Sequence, residues 1–184
     1  MAQPGRTLPL RPGQNLAKFD SDGDVRGKFF PVDDLDRKIL AELQRDGRLT
    51  LTKLAARVGL SVSPCHRRLR ELERSGTIRG YRAVVDLEAL GHSFAVVLFV
   101  SMRQADHATI TAFEKAVAAI PDVVQAQRLF GEPDYMLRIV CQGQSAYQRL
   151  YDERLATLPG VQRLTSTLVM KEVVPERPLL GRRA

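Results

Sequence analysis

Two cysteines in 184 residues are too few for a disulfide framework, and Cys65 and Cys141 stand too far apart to form a metal-spaced pair. Both fall on apolar stripes and read as core thiols. Long hydrophobic runs are also missing. The longest, Phe94 to Val100, falls well short of the roughly 20 residues a membrane-spanning helix needs. Residues 1–20 hold no continuous apolar core of the kind a secretory leader carries. These absences point to a reducing cytoplasm, away from any membrane. Catalytic signatures are absent as well: there is no P-loop, dinucleotide fingerprint or nucleophile elbow. His92 and His107 have no acidic or cysteine partner at ligand spacing. The acid pairs Asp33/Asp34 and Asp152/Glu153 fall at helix beginnings or on helix surfaces. The expectation is a protein that is not an enzyme and has no catalytic residue, metal or cofactor.

What the chain does have is positive charge in one place. The formal net charge is +7. Basic residues exceed acidic ones by five between positions 33 and 85 and by two before that; they balance from 86 onward. Segregated charge of this kind suits a polyanion-binding module joined to a neutral one. Charge needed only for solubility would be scattered.

The chain divides by pattern. Residues 1–32, rich in Pro, Gly, Arg and Asp without a lasting period, read as a mobile extension. The Asp20–Asp24 stretch within it (DSDGD) lacks the bidentate Glu of a calcium loop. Asp33 and Asp36 start a helix almost as a capping box does, and Leu35, Ile39 and Leu43 form its stripe. Thr50 opens a second helix with Leu51, Leu54, Ala55 and Val58 inward, closed by Gly59. Ser63 and Pro64 suit the cap and first position of a third, which Gly76 stops. Ile78 to Val85 reads as a short strand or wing. After a polar connection through His92, strand 93–102, helix 106–120, strands 123–130 and 135–141, helix 145–158 and strand 161–173 follow. That order is the split βαβ pattern of ferredoxin-like sandwiches. The fold class is therefore α+β: an N-terminal helix-turn-helix domain, winged-helix-like, at 33–80; a hinge strand and linker at 81–92; a βαββαβ sandwich at 93–175; and a tail at 176–184. Neither alternate set of the first strand (Phe94, Val96, Leu98, Val100 or Ala95, Val97, Phe99) carries a charge, so its sheet needs a second cover, and another subunit would supply it.

The third helix, in the stretch GLSVSPCHRRLREL, crowds arginines together. At about 100° per residue, Cys65, Leu69 and Leu72 share one line, while Arg67, Arg70 and Arg74 lie nearly opposite with His66 beside them. Arg68 points to the flank and reads as structural. A solvated charged face is the plain alternative. Leu54, Ala55, Val58, Gly59 and Leu60 just before it have the pattern of a helix-turn-helix, whose second helix enters the DNA major groove. Ser63, Pro64, His66 and Arg67 would then face bases, and Arg70 and Arg74 would meet phosphates.

Taken together, DRKILAELQRDG (36–47), LAARVGLSVSPCHRRLRELERSGTIRGY (54–81), GEPDYML and LPGVQRLTSTLVMKEV resemble the Lrp/AsnC family of leucine-responsive and asparagine-type transcriptional regulators over about residues 33–175. The resemblance implies a double-stranded-DNA-binding head and a ferredoxin-like domain that senses a small amino acid, dimerises through its sheet and assembles as far as octamers. It places the effector near the turn matched by Gly131, Asp134 and Tyr135. There, backbone N–H groups could receive a carboxylate and Asp134 an ammonium, with Glu132, Thr165 and Thr167 as neighbours. A plain hairpin is the other reading of that turn. Glu132 and Pro133 depart from the family's usual residues, and Pro133 removes one N–H donor. The alternative function is an architectural, weakly specific DNA-binding protein without effector. An amino-acid-binding regulatory subunit of an enzyme would leave the helix-turn-helix unexplained.

Overall fold

A computed structural model describes residues 32–180. The expectations for the N-terminal extension and its Asp20–Asp24 stretch thus lie outside the described residues. Two compact units divide the described residues: one holds residues 32–83 and 176–180, the other runs from Val84 to Pro175.

The first unit is built on three helices, α1 (Asp34–Arg45), α2 (Leu51–Val58) and α3 (Val62–Arg74). Asp33 caps α1 in a closed capping box: its carboxylate accepts from the Asp36 N–H, and Asp36 accepts from the Asp33 N–H. Thr50 caps α2 by accepting from the Lys53 N–H. Ile39, Leu54, Ala55, Val58, Cys65 and Leu72 form the buried core. Gly59 turns the chain between α2 and α3 at φ 73°, where a side chain would be strained. The Leu60 N–H continues the turn by bonding the Ala55 carbonyl at 2.9 Å.

Two sequence expectations are corrected here. α3 begins at Val62 with Ser61 in the cap position, not at Ser63. The Cys65 N–H already bonds the Ser61 carbonyl, so Pro64 lies in the first turn, where a missing N–H costs no helical bond. No strand forms over Ile78 to Val85; residues 79–86 are irregular, since no neighbour among the described residues offers them a ladder. Tyr81 instead packs beside Gly47 and donates its hydroxyl to Glu73 at 3.0 Å. Burial, then the Glu73 charge, pushes its phenol well above the ordinary range. The tail closes this unit: Arg82 pairs with Glu176, and the Leu180 N–H donates to Gln44 Oε1 at 2.9 Å.

The second unit is a four-stranded antiparallel sheet in the order β2-β3-β1-β4, the ferredoxin-like arrangement, with β1 (Phe94–Met102), β2 (Val123–Arg128), β3 (Tyr135–Cys141) and β4 (Val161–Leu168). Helices α4 (His107–Ala118) and α5 (Gln144–Leu150), the latter running into a π-helical turn at Tyr151–Leu155, supply the second layer. Val96, Leu98, Val100, Tyr135, Leu137 and Ile139 meet Phe113, Val117 and Leu155 between the layers. β4 ends at Leu168, five residues before the expected Val173. β1 supplies its last ladder partner, Val96, at Leu168, and beyond the Val169 N–H bond to Ala95 there is no strand left to pair with.

Ala95, Val97 and Phe99 lie on the opposite face of β1, half-buried, beside Met136 and Arg138 of β3 and Thr165 and Thr167 of β4. At the edge of the helical layer, Gly160 (φ 73°) has no room for a side chain: a Cβ there would lie 2.2 Å from Thr109 Cγ2 and 2.9 Å from Met102 Cε.

Candidate nucleic-acid interface and effector turn

α3 forms because its apolar positions return at helical spacing. It buries Cys65 and Leu72 completely, half-buries Leu69 and turns its remaining face outward. Ser63, His66, Arg67, Arg70 and Arg74 are exposed, and Pro64 is half-buried. All six residues expected at the DNA interface thus belong to one helix, five of them exposed. Their electrostatic states differ. Arg67 and Arg70 have no hydrogen-bond or ion-pair partner among the described residues. Arg74 donates to Glu71 at 2.6 and 3.1 Å but remains 73% exposed. That bond, with a smaller contribution from the Arg67 charge, holds the Glu71 carboxyl below its ordinary range.

Arg68 faces inward. Its Nη1 lies 2.7 Å from Asp33 Oδ2 and 2.9 Å from Asp36 Oδ1 at the start of α1. The Asp36 N–H, and then Arg68, hold the Asp33 carboxyl below its usual range. Sequence reasoning placed Arg68 off the ridge but missed its partners, which are more than thirty positions away. The paired aspartates of a capping box were the available signal.

The 131–134 turn joins β2 to β3. The Leu129 N–H donates to the Asp134 carbonyl at 2.7 Å, and the Asp134 N–H donates to the Val100 carbonyl at 2.9 Å. Asp134 Oδ2 accepts the Met102 N–H at 2.7 Å, so this residue brackets the end of β1. Tyr135 is buried in the helix-side core. Its ring lies 4.6 Å from that of Phe113, and its hydroxyl donates to Glu114 at 2.9 Å. Burial first, then the Glu114 acceptor, pushes its phenol up to about 12. Thr165 and Thr167 lie on the opposite face of the sheet, across from Phe99 and Val97, so the turn brings Tyr135 and the threonines to different sides. Gly131 (φ 126°) is open to solvent, and Glu132 reaches Arg163 of β4 at 3.7 Å, with both side chains largely exposed. Arg163 was not anticipated; its register opposite Ser101 becomes visible only once the strands pair. No group of three or more metal-ligating side chains occurs among the described residues, and no helix among them is long and apolar enough to cross a membrane.

A trihelical head with an outward arginine ridge, followed by a ferredoxin-like unit, has the two-part form of a DNA-binding domain joined to a ligand-binding domain, and the family models match it in that order. Residues 32–79 match the winged helix-turn-helix DNA-binding model, and residues 95–179 match the Lrp/AsnC ligand binding domain. The leucine-responsive regulatory protein of Rhizobium meliloti (strain 1021) is 38% identical over 142 residues, 77% of this chain and 91% of that protein. Among solved structures, a transcriptional regulator from Neisseria meningitidis in complex with L-methionine superposes with TM-score 0.73 at 36% identity, covering 78% of this chain and 92% of that one. A feast or famine regulatory protein from M. tuberculosis, complexed with L-methionine, does so with TM-score 0.74 at 31% identity, covering 82% and 99%. The chain belongs to the Lrp/AsnC family, whose members are transcription regulators and not enzymes.

Proposed function

We propose that this protein is a sequence-specific transcriptional regulator that reads duplex DNA with α3 and responds to a small α-amino acid at the 131–134 turn. It works in the cytoplasm as a dimer or larger assembly. The DNA half rests on one observation: Arg67 and Arg70 stand exposed and unpaired among the described residues, while the other two arginines of α3 are bonded to acids. A guanidinium left free presents its donor fork to guanine or phosphate without first breaking an internal bond. In a two-fold assembly the recognition helices would sit about one DNA turn, roughly 34 Å, apart. The half-buried apolar stripe of Ala95, Val97, Phe99 and Met136, on the sheet face away from the helices, supports a second copy as its cover. Replacing Arg67 and Arg70 by Ala should weaken retention of duplex DNA about 100-fold, from two lost arginine contacts, with oligomer and fold intact. Unaltered gel retardation refutes this reading.

The effector half rests on charge placement. An α-amino acid is a zwitterion. Asp134 already spends one oxygen on Met102, which leaves Glu132 as the freer carboxylate for the ammonium. Arg163, with Thr165 two positions further along β4, can take the carboxylate. Their mutual ion pair is loose and exposed, and pairs of this kind are worth little, so a zwitterion can replace it at small cost. Two solved relatives are complexes with L-methionine, which supports an α-amino acid as the class of ligand. L-methionine should raise the melting temperature of this protein, and L-methioninamide, which lacks the carboxylate, should not. A footprint indifferent to sequence, together with no shift from any amino acid, would favour the architectural reading.

A further inference from the structure

Asp33 and Asp36 form a capping box in which each carboxylate uses only one oxygen. Asp33 Oδ1 accepts the Asp36 N–H at 2.8 Å, and Asp36 Oδ2 accepts the Asp33 N–H at 3.3 Å. The two remaining oxygens, Asp33 Oδ2 and Asp36 Oδ1, both receive Nη1 of Arg68. One nitrogen of α3 thus completes the acceptor set at the start of α1, and all four carboxylate oxygens are occupied. The Asp36 side chain is only 4% exposed and that of Arg68 26%, with Asp33, 51% exposed, on the outer side, so the Asp36 bond is the buried arm of the pair. This is not a rim contact of the kind that adds little. Arg68 also lies between Arg67 and Arg70 in sequence, so its bonds to the start of α1, added to the buried Cys65 and Leu72, bear on the roll of the helix and the outward aim of both neighbours.

We propose that Arg68 is a positioning residue for DNA reading, locked by Asp33 and Asp36, so that two acidic residues of the head are required for recognition of a polyanion. This rests on the sequence-reading role proposed above. It predicts a sign opposite to that of simple charge. Removing an acid from a DNA-binding head adds attraction for phosphates and by electrostatics alone tightens binding to every duplex. If the acid sets the helix roll, its removal weakens the selected sequence while leaving non-specific binding unchanged or slightly raised.

The test uses the full chain and two duplexes: one enriched by the wild-type protein from a random-sequence pool, and a scrambled version of it. Asp36→Asn, and Asp33→Ser, which keeps a competent cap while removing the carboxylate, should each lower the ratio of the two affinities about tenfold, the cost of one mis-seated base contact. The dependence of log affinity on log salt should keep its slope. Arg68→Met should behave in the same way, and Arg68→Lys should recover most of the ratio, because a single nitrogen makes both bonds. Tighter binding of Asp36→Asn to both duplexes, an unchanged ratio, or a salt slope for Arg68→Met that falls by about one phosphate contact would each overturn the proposal. If Asp36→Asn does not fold, Asp33→Ser decides. A wild-type pool with no enriched sequence defeats the sequence-reading role itself and leaves no register to position; unaffected variants on an enriched duplex defeat only the proposal for Arg68.

Discussion

The two units treat their polar side chains in opposite ways. In the head, the groups offered to a partner stand apart from those that hold the fold: Arg67 and Arg70 are unpaired among the described residues, while Arg68, Asp33 and Asp36 are bonded inward. In the sheet unit, two of the groups expected to meet an effector already serve the architecture. Asp134 ties the hairpin to Met102, and the Tyr135 hydroxyl is bound to Glu114. Substitution of Arg67 or Arg70 should therefore cost function without stability, whereas at Asp134 and Tyr135 of the sheet unit the two should stay coupled.

Four measurements can break or sharpen that contrast. The largest effect belongs to the sheet unit. Gly160→Ala drives a methyl into Thr109 and Met102 in left-handed backbone and should cost roughly 3 kcal/mol in chemical denaturation. Gly59→Ala, whose added Cβ meets nothing within 4 Å, should cost the head only about 1 kcal/mol. Equal losses would mean that the crowding at Gly160 relaxes away. Next, Asp134→Ala removes the acceptor of a backbone N–H and should cost about 2 kcal/mol, followed by Tyr135→Phe at about 1 kcal/mol. A loss of effector response at Asp134 with full stability would contradict the coupling. Third, Arg67→Ala or Arg70→Ala should shift stability by less than about 0.5 kcal/mol, measured on the same denaturation curve. The smallest effect is one the units should share. Asp33 and Asp106 are both helix caps with folded pKa below the ordinary 3.8, Asp106 chiefly through the Thr109 hydroxyl. A depressed carboxylate adds stability that is complete above its unfolded pKa and lost as pH falls through the folded one. Both units should therefore lose stability on acidification below about pH 4, followed as unfolding midpoints; a gain on acidification would reverse the sign.

How much could be read in advance followed the same division. A helix is a local pattern, so the stripes of α1 to α3, the caps at Asp33 and Thr50 and the outward arginines were legible from spacing alone. The start of α3 was ambiguous because two serines flank Val62 and a proline fits anywhere in a first turn. The element order of the sheet unit was legible as well, since strands and helices alternate in period. What could not be read depends on partners distant in sequence. The Arg68 bonds span more than thirty positions. The role of Asp134 follows from where β1 ends, and the faces of Tyr135 and Thr165 from strand register. The extended stretch at 78–85 had strand-forming residues and, among the described residues, no neighbouring strand to pair with.

The return of residues 176–180 to the head, through Glu176 and Leu180, makes the sheet unit an insertion within a continuous outer module. Its two junctions lie side by side, because Arg82 and Glu176, which flank them on the head, pair with each other. A unit whose two junctions meet at one doorway can be exchanged for another sandwich as a cassette, without reopening the trihelical host. Shortening the chain to residues 32–83, by contrast, would strip that host of its final strap.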